Sequence, residues 1–132
     1  AQKGIYTYFT DIDTEAINMA RVNTEERKLK NTEFYAGDSS IALAKIFTKV
    51  TSQNTCLLVD PPRVGLDTKT MKQLCLLLNP KHLIYISCAP DTLARDLKEL
   101  LQNGYEVVSA RMIDMFPRTK HFETITHLML NC

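Results

Sequence analysis

The chain has 132 residues, 45% hydrophobic and 23% charged, the balance of an ordinary globular domain with a respectable core. Sixteen basic against fifteen acidic residues leave a net charge of +1, which argues against a general polyanion-binding domain, although a local patch can still serve a structured nucleic acid. No apolar run nears the roughly 18 residues of a membrane span, and the opening Ala1-Gln2-Lys3-Gly4 has neither the basic segment nor the apolar stretch of a secretion signal. One cytoplasmic domain over 1–132, without a membrane partner, is expected.

In chain order, Ile5 to Thr10 is rich in β-branched and aromatic residues and reads as a strand. Thr14 to Arg27 places Ala16, Ile17, Ala20 and Val22 on one apolar face at helical spacing. Thr32 to Ala36 reads as a second strand, and Ser39 to Val50 as a helix with Ile41, Leu43, Ala44, Ile46 and Phe47 apolar. Thr55 to Asp60 is a buried strand stopped by Pro61-Pro62. Asp67 to Leu78 is helical, entered through an Asp67 cap. His82 to Ser87 is a further buried strand, and Asp91 to Gln102 a helix ended by Asn103-Gly104. Two strands close the chain, Tyr105 to Asp114 and Phe122 to Leu130, around the turn Pro117-Arg118-Thr119-Lys120.

Strands alternating with helices predict a mostly parallel, doubly wound α/β sheet, and the closing pair without a helix between predicts an antiparallel edge. In such sheets ligands bind beyond the carboxyl ends of the strands. Asp11, Asp38, Asp60 and Cys88 all fall at or just past such ends.

Asp11 precedes a helix and has two readings of similar weight: a carboxylate accepting both hydroxyls of a nucleotide ribose, or a helix cap in competition with Asp13. Asp38 carries the same ambiguity. Asp60-Pro61-Pro62-Arg63 is more specific, because an acid and two prolines at a strand end give a rigid turn suited to holding a planar base. Of the four cysteines, Cys56 and Cys75 lie in apolar runs and are expected to be small buried hydrophobes, and Cys132 ends the chain. None forms a CxxC pair, and no zinc-ligand spacing is present. Cys88 differs: at a strand's carboxyl end, before a helix, it lies near a positive helix N-terminus, which favours the nucleophilic thiolate. On position alone it is as readily structural. Phe116 to Glu123 packs two bases, a histidine and a carboxylate around a proline turn. There Glu123 fits a partly buried general base, and the alternative is a solvated surface turn.

Three motifs, LLVDPPRVGLD (Leu57 to Asp67), YISCAPDTLARDL (Tyr85 to Leu97) and DMFPRTKHFETI (Asp114 to Ile125), closely resemble those of the RNA 5-methyluridine methyltransferases, in the family's order and over essentially the whole chain. The resemblance implies a Rossmann-like class I methyltransferase sheet, S-adenosylmethionine as cofactor and ribosomal or transfer RNA as partner. It further implies Cys88 as nucleophile, Glu123 as the base that removes the C5 proton, and Asp60 at the junction of cofactor and target uracil. Asp11 would match the acid that holds the cofactor ribose, and Asp38 the one near its adenine. Arg63, Arg118, Lys120 and His121 are expected to touch the RNA, the last three on charge alone. The TLARDL and DMFPRT stretches lie slightly closer to the ribosomal-RNA members.

The chain departs from the family in two ways. The glycine-rich loop that cradles the cofactor's methionine end is missing, since the four glycines form no GxG and the chain opens about where the second strand of the family's sheet belongs. In that fold the missing strand is central, between Ile5 to Thr10 and Thr55 to Asp60. A fragment of a longer protein is therefore expected, partnered by a missing N-terminal part, with weak cofactor binding and marginal stability alone. Ala89 also stands where the family usually has Asn. Three other readings compete. The Asp-Pro-Pro run resembles the Asp-Pro-Pro-Tyr loop of amino-group methyltransferases, which have no use for Cys88. Cys88 and His121 would be the pair of a cysteine hydrolase. A catalytically dead RNA-binding remnant is the reading outside enzymes.

Overall fold

The computed structural model describes residues 5–115, 117–119 and 122–131. The chain divides into two compact units, Ala1–Lys49 and Val50–Cys132.

In the first unit, strand β1 (Thr7–Asp11) leads through helix α1 (Thr14–Glu26) to strand β2 (Thr32–Ala36), and helix α2 (Ser39–Phe47) follows. The two strands run parallel, in register from Thr7↔Thr32 to Asp11↔Ala36, as a strand–helix–strand crossover requires. Helix α1 starts on Asp13, whose carboxylate accepts the amides of Glu15 at 2.8 Å and Ala16 at 3.4 Å. It ends in a paired closure: the Lys28 amide donates to the Glu25 carbonyl and that of Leu29 to Thr24. Lys28 takes the left-handed position, φ 52°, that glycine usually fills.

The apolar face expected of α1 is narrower than its composition suggests. Ile17 is buried but Ala16 is exposed and Val22 is 44% exposed, while Thr24 is buried. Ile17 and Thr24 are two turns apart on one stripe, whereas Val22 lies five residues from Ile17 and is rotated off it.

The second unit carries a four-stranded sheet in the order β3-β4-β6-β5: β3 (Cys56–Val59), β4 (His82–Ser87), β5 (Tyr105–Ile113) and β6 (Glu123–Leu130). Strands β3 and β4 are parallel, and β6 runs antiparallel to both neighbours. The expected antiparallel closing pair is therefore present, with its last strand inserted between β4 and β5. Helix α3 (Thr68–Gln73), entered through the Asp67 cap, widens into a π-helical turn over Leu74–Leu78. Its closing bond runs from the Asn79 amide to the Leu74 carbonyl at 2.7 Å, with Asn79 left-handed at φ 42°, a conformation that asparagine tolerates. Helix α4 (Pro90–Gln102) follows β4.

The core of this unit joins Met71, Leu74 and Cys75 to Leu83 and Tyr85 of β4, Leu93 and Leu100 of α4, Tyr105 and Leu128. Leu57 and Val59 of β3 pack against it, and the period of two turns Cys56 and Leu58 to the opposite face. There Cys56 is exposed and Leu58 is 60% exposed, so the expectation that Cys56 is a buried hydrophobe fails. It holds for Cys75, whose thiol burial pushes up to about 11.

Candidate active site

Two strand-end rims carry the residues singled out by the sequence, one in each unit. In the first, Asp11 is the last residue of β1 and is exposed. One carboxylate oxygen accepts the Asp13 amide at 2.9 Å, and its carbonyl accepts the Gly37 amide at 2.8 Å, which fastens the ends of β1 and β2 together. Asp13 is the cap of α1, so Asp11 is not spent on that role. Asp38 does cap its helix, accepting the Ser40 amide at 2.8 Å and the Ser40 hydroxyl at 2.5 Å on one oxygen. The two carboxylates thus stand at one end of a parallel pair, the place where α/β sheets meet nucleotide ligands. An exposed acid beyond the cap, as Asp11 is, has the acceptor character that a ribose diol needs.

In the second unit, strand register builds the rim. The parallel ladder ends at Val59↔Tyr85, and Asp60 follows at once. The antiparallel ladder of β4 and β6 ends at Ser87↔Thr124. Cys88 follows Ser87 and Glu123 precedes Thr124, so both lie at the same end of this ladder, and Glu123 pairs Ile113 at the end of β5. Cys88 and Glu123 are both half-buried, and Cys88 is a free thiol. Asp60 and Cys88, just past the ends of β3 and β4, and Glu123, the first residue of β6, therefore lie at one end of three neighbouring strands.

The turn at Cys88 is fixed by the Ser87 hydroxyl, which accepts the Ala89 amide and donates to the Ala89 carbonyl, both at 3.1 Å. Ala89 is the N-cap of α4 and has no side chain to cap with, while Pro90 opens the first turn. Arg63 is exposed, and its carbonyl accepts the Thr92 hydroxyl at 2.9 Å. Arg118 is exposed and left-handed, φ 69°, in the turn between β5 and β6. Lys120 and His121 lie outside the described residues.

The sequence reading passed over a buried polar cluster behind the Asp60 loop. Asp96 is 2% exposed. One of its oxygens accepts the Tyr85 hydroxyl at 2.5 Å and the Leu66 amide at 2.8 Å; the other accepts the Arg95 guanidinium through Nε at 2.8 Å and Nη2 at 2.7 Å. Arg95 Nη2 also reaches the Val64 carbonyl at 2.9 Å and that of Leu66 at 3.3 Å. Burial first, then the Asp96 hydrogen bond and charge, push the Tyr85 phenol far above its ordinary range. Gly65, at φ 78°, passes so close that a Cβ there would lie 2.5 Å from Arg95 Nη2 and 2.6 Å from Asp96 Oδ2. A signal for the cluster was available: Asp96 falls between Leu93 and Leu100 on the apolar stripe of α4, where an acid needs partners.

Among the described residues, no group of three His, Cys, Asp or Glu side chains is arranged to hold a metal ion, and no helix is long and apolar enough to cross a membrane.

Comparison with known proteins gives the family and the fold. An RNA methyltransferase of unassigned specificity from Listeria monocytogenes serovar 1/2a is 40% identical over 131 residues, 99% of this chain and 28% of the relative. The chain thus spans little more than a quarter of the length of the curated relatives it matches. Among solved structures, the magnesium protoporphyrin IX methyltransferase of Synechocystis PCC 6803, with bound SAH, aligns over 99% of this chain and 66% of its own, with TM-score 0.69 and 16% identity. TrmN from Thermus thermophilus aligns over 96% of this chain and 36% of its own, with TM-score 0.65 and 16% identity. At those identities the likeness is one of fold, that of the Rossmann-like class I methyltransferases. The sequence itself matches the tRNA (uracil-5-)-methyltransferase family over residues 6–131, and the chain belongs to that family.

Proposed function

We propose that this chain is the catalytic part of an enzyme that methylates carbon 5 of uridine in RNA, with S-adenosylmethionine as methyl donor. The observation that carries the reading is the β4–β6 register: it ends at Ser87↔Thr124 and leaves a free half-buried thiol, Cys88, and a half-buried carboxylate, Glu123, at the same end of the sheet as Asp60-Pro61-Pro62. An amino-group methyltransferase would need the turn but neither of the other two.

Carbon 5 of uracil is a weak nucleophile. Attack of the Cys88 thiolate on carbon 6 breaks the C5–C6 double bond and moves its electrons into an enolate, concentrating charge at carbon 5. The donor, when bound, supplies a methyl group made electrophilic by its sulfonium. Once carbon 5 is methylated, Glu123 removes the C5 proton, the double bond re-forms, and Cys88 leaves as thiolate. Asp60, on a turn stiffened by two prolines, orients the uracil edge. Asp11 and Asp38 are assigned to the donor's ribose and adenine. The base must leave its stack to reach the thiol, and Arg63 and Arg118, with Lys120 and His121, are assigned to the neighbouring RNA backbone. The substrate is a uridine of structured RNA, ribosomal in preference to transfer RNA on the strength of the TLARDL and DMFPRT stretches.

The test is mass spectrometry of the chain, with flanking sequence restored where its gene extends further, mixed with donor and 5-fluorouridine RNA of either class. Fluorine cannot leave carbon 5 as a proton, so a methylated adduct is expected to accumulate on Cys88. Cys88→Ala should abolish it and lower turnover on ordinary RNA by about 10³-fold or more. Methylation that survives Cys88→Ala would exclude this mechanism.

A further inference from the structure

Helix α4 touches the proposed site twice. Its N-terminus carries the Cys88 turn, and one face of it, Thr92, Arg95 and Asp96 at i, i+3 and i+4, grips the loop that follows β3. Thr92 donates to the Arg63 carbonyl at 2.9 Å. Arg95 donates to the Val64 and Leu66 carbonyls, and Asp96 accepts the Leu66 amide. These contacts bridge about thirty residues of sequence. An open cleft is lined by Val64 to Thr68 together with Met71, Arg95, Asp96 and Glu99. Leu66 packs against the core but Val64 is 70% exposed, and the polar grip adds to that apolar contact in holding the loop.

The loop is shaped to receive that grip. The Gly65 amide donates to the Pro62 carbonyl at 2.8 Å and closes a turn over Pro62 to Gly65. A side chain at Gly65 would collide with the two groups that hold it. Asp96 is suited to the anchoring role because both its oxygens are filled: Tyr85 of β4 and Leu66 on one, Arg95 on the other. A buried carboxylate satisfied in this way keeps one geometry.

We propose that Thr92, Arg95 and Asp96 are positioning residues: through the Arg63–Leu66 backbone they set Asp60 and Arg63 at a fixed distance and angle from Cys88, so that α4 couples the base-holding turn to the nucleophile. The kinetic arm of this inference rests on the methylation reading above; the structural arm does not.

Arg95→Lys and Thr92→Val change partly exposed side chains, and Thr92→Ser restores the hydroxyl. With 5-fluorouridine RNA, the rate of adduct formation and its final yield per chain are measured separately, beside hydrogen exchange at the Gly65 and Leu66 amides. Positioning predicts that Arg95→Lys slows adduct formation tenfold or more at full final yield, that Thr92→Val slows it several-fold, that Thr92→Ser recovers the original rate, and that both loop amides exchange faster. A purely structural role predicts a lower final yield at the original rate, and that result overturns the inference. A wild-type protein with its flanking sequence restored that forms no adduct sinks the methylation reading alone. The exchange arm then decides the grip, and unchanged exchange at Gly65 and Leu66 in both variants refutes it.

Discussion

The two units of this chain are held together by different means. In Val50–Cys132, a four-stranded sheet presents Leu83, Tyr85 and Leu128 to two helical segments, and the core closes around side chains with almost no exposed surface. In Ala1–Lys49 two strands face two helices, and the buried apolar residues are Ile17, Ala42, Leu43 and Ile46. Its strands lean instead on contacts near the surface. Phe9 and Phe34 stack with centroids 5.1 Å apart, Arg21 lies 5.0 Å over the Phe34 ring, and Glu33 gathers Tyr6, Tyr35 and Lys49. The residues proposed as nucleophile and base sit on the unit with the larger buried core, where a one-residue slip of register would turn every buried side chain outward. The carboxylates assigned to the donor sit on the smaller unit, Asp38 as a helix cap and Asp11 against the Asp13 amide. The proposed chemistry, which depends on alignment, is thus built on the unit with the larger buried core.

The largest effect that would test this contrast is cavity formation. Leu83→Ala, at a fully buried position of β4, should cost about 3 kcal/mol in urea unfolding. Val22→Ala, at a 44% exposed position of α1, should stay within about 0.5 kcal/mol. Comparable losses at the two positions would erase the distinction between the units. A smaller effect has the opposite sign. Ala89 holds the N-cap of α4 in the extended conformation, φ −134° and ψ 100°, without a capping side chain. Ala89→Asn should therefore raise stability by about 1 kcal/mol; unchanged or lowered stability would show that the new side chain does not reach the Asp91 or Thr92 amide.

The smallest effect lies in the first unit and depends on pH. Hydrogen bonds from Lys49, Tyr35 and Tyr6, in that order, hold the Glu33 carboxyl down from 4.5 to about 2. A carboxylate with a lowered folded-state pKa stabilises the fold fully above its ordinary value, and the contribution fades as pH falls from about 4.5 through about 2. Acid unfolding should accordingly cost the wild type more than Glu33→Gln across that window. The difference should shrink in high salt, because the cluster is exposed. Parallel acid profiles for the two proteins would remove Glu33 from the account of how this unit is held.

Most elements were legible in the sequence because their signals are local. His82 to Ser87 was bounded to the residue by an apolar run between Lys81 and Cys88, and Asp67 announced its helix as a cap, whereas the choice of Asp13 over Asp11 as the cap of α1 came from the structure. Less local features were read wrongly or passed over. Cys56 looked buried from its apolar neighbours, but alternation along β3 turns it to an uncovered face. The Leu74–Leu78 run read as ordinary helix, and its widening depends on where the Asn79 amide finds a carbonyl. Asp96 went unremarked because its partners are eleven and thirty residues away.

Residue types and their order along the chain determined the α/β class, the strand ends at which Asp11, Asp38, Asp60 and Cys88 would fall, and the family, since propensity, capping and proline stops act within a few residues. Tertiary structure alone decided that β6 inserts between β4 and β5, that Glu123 thereby comes to the same end of the sheet as Cys88, and that α4 grips the Asp60 loop from behind. Those outcomes depend on strand pairing and on the satisfaction of a buried charge across long stretches of chain, and both are settled only when the four-stranded sheet forms.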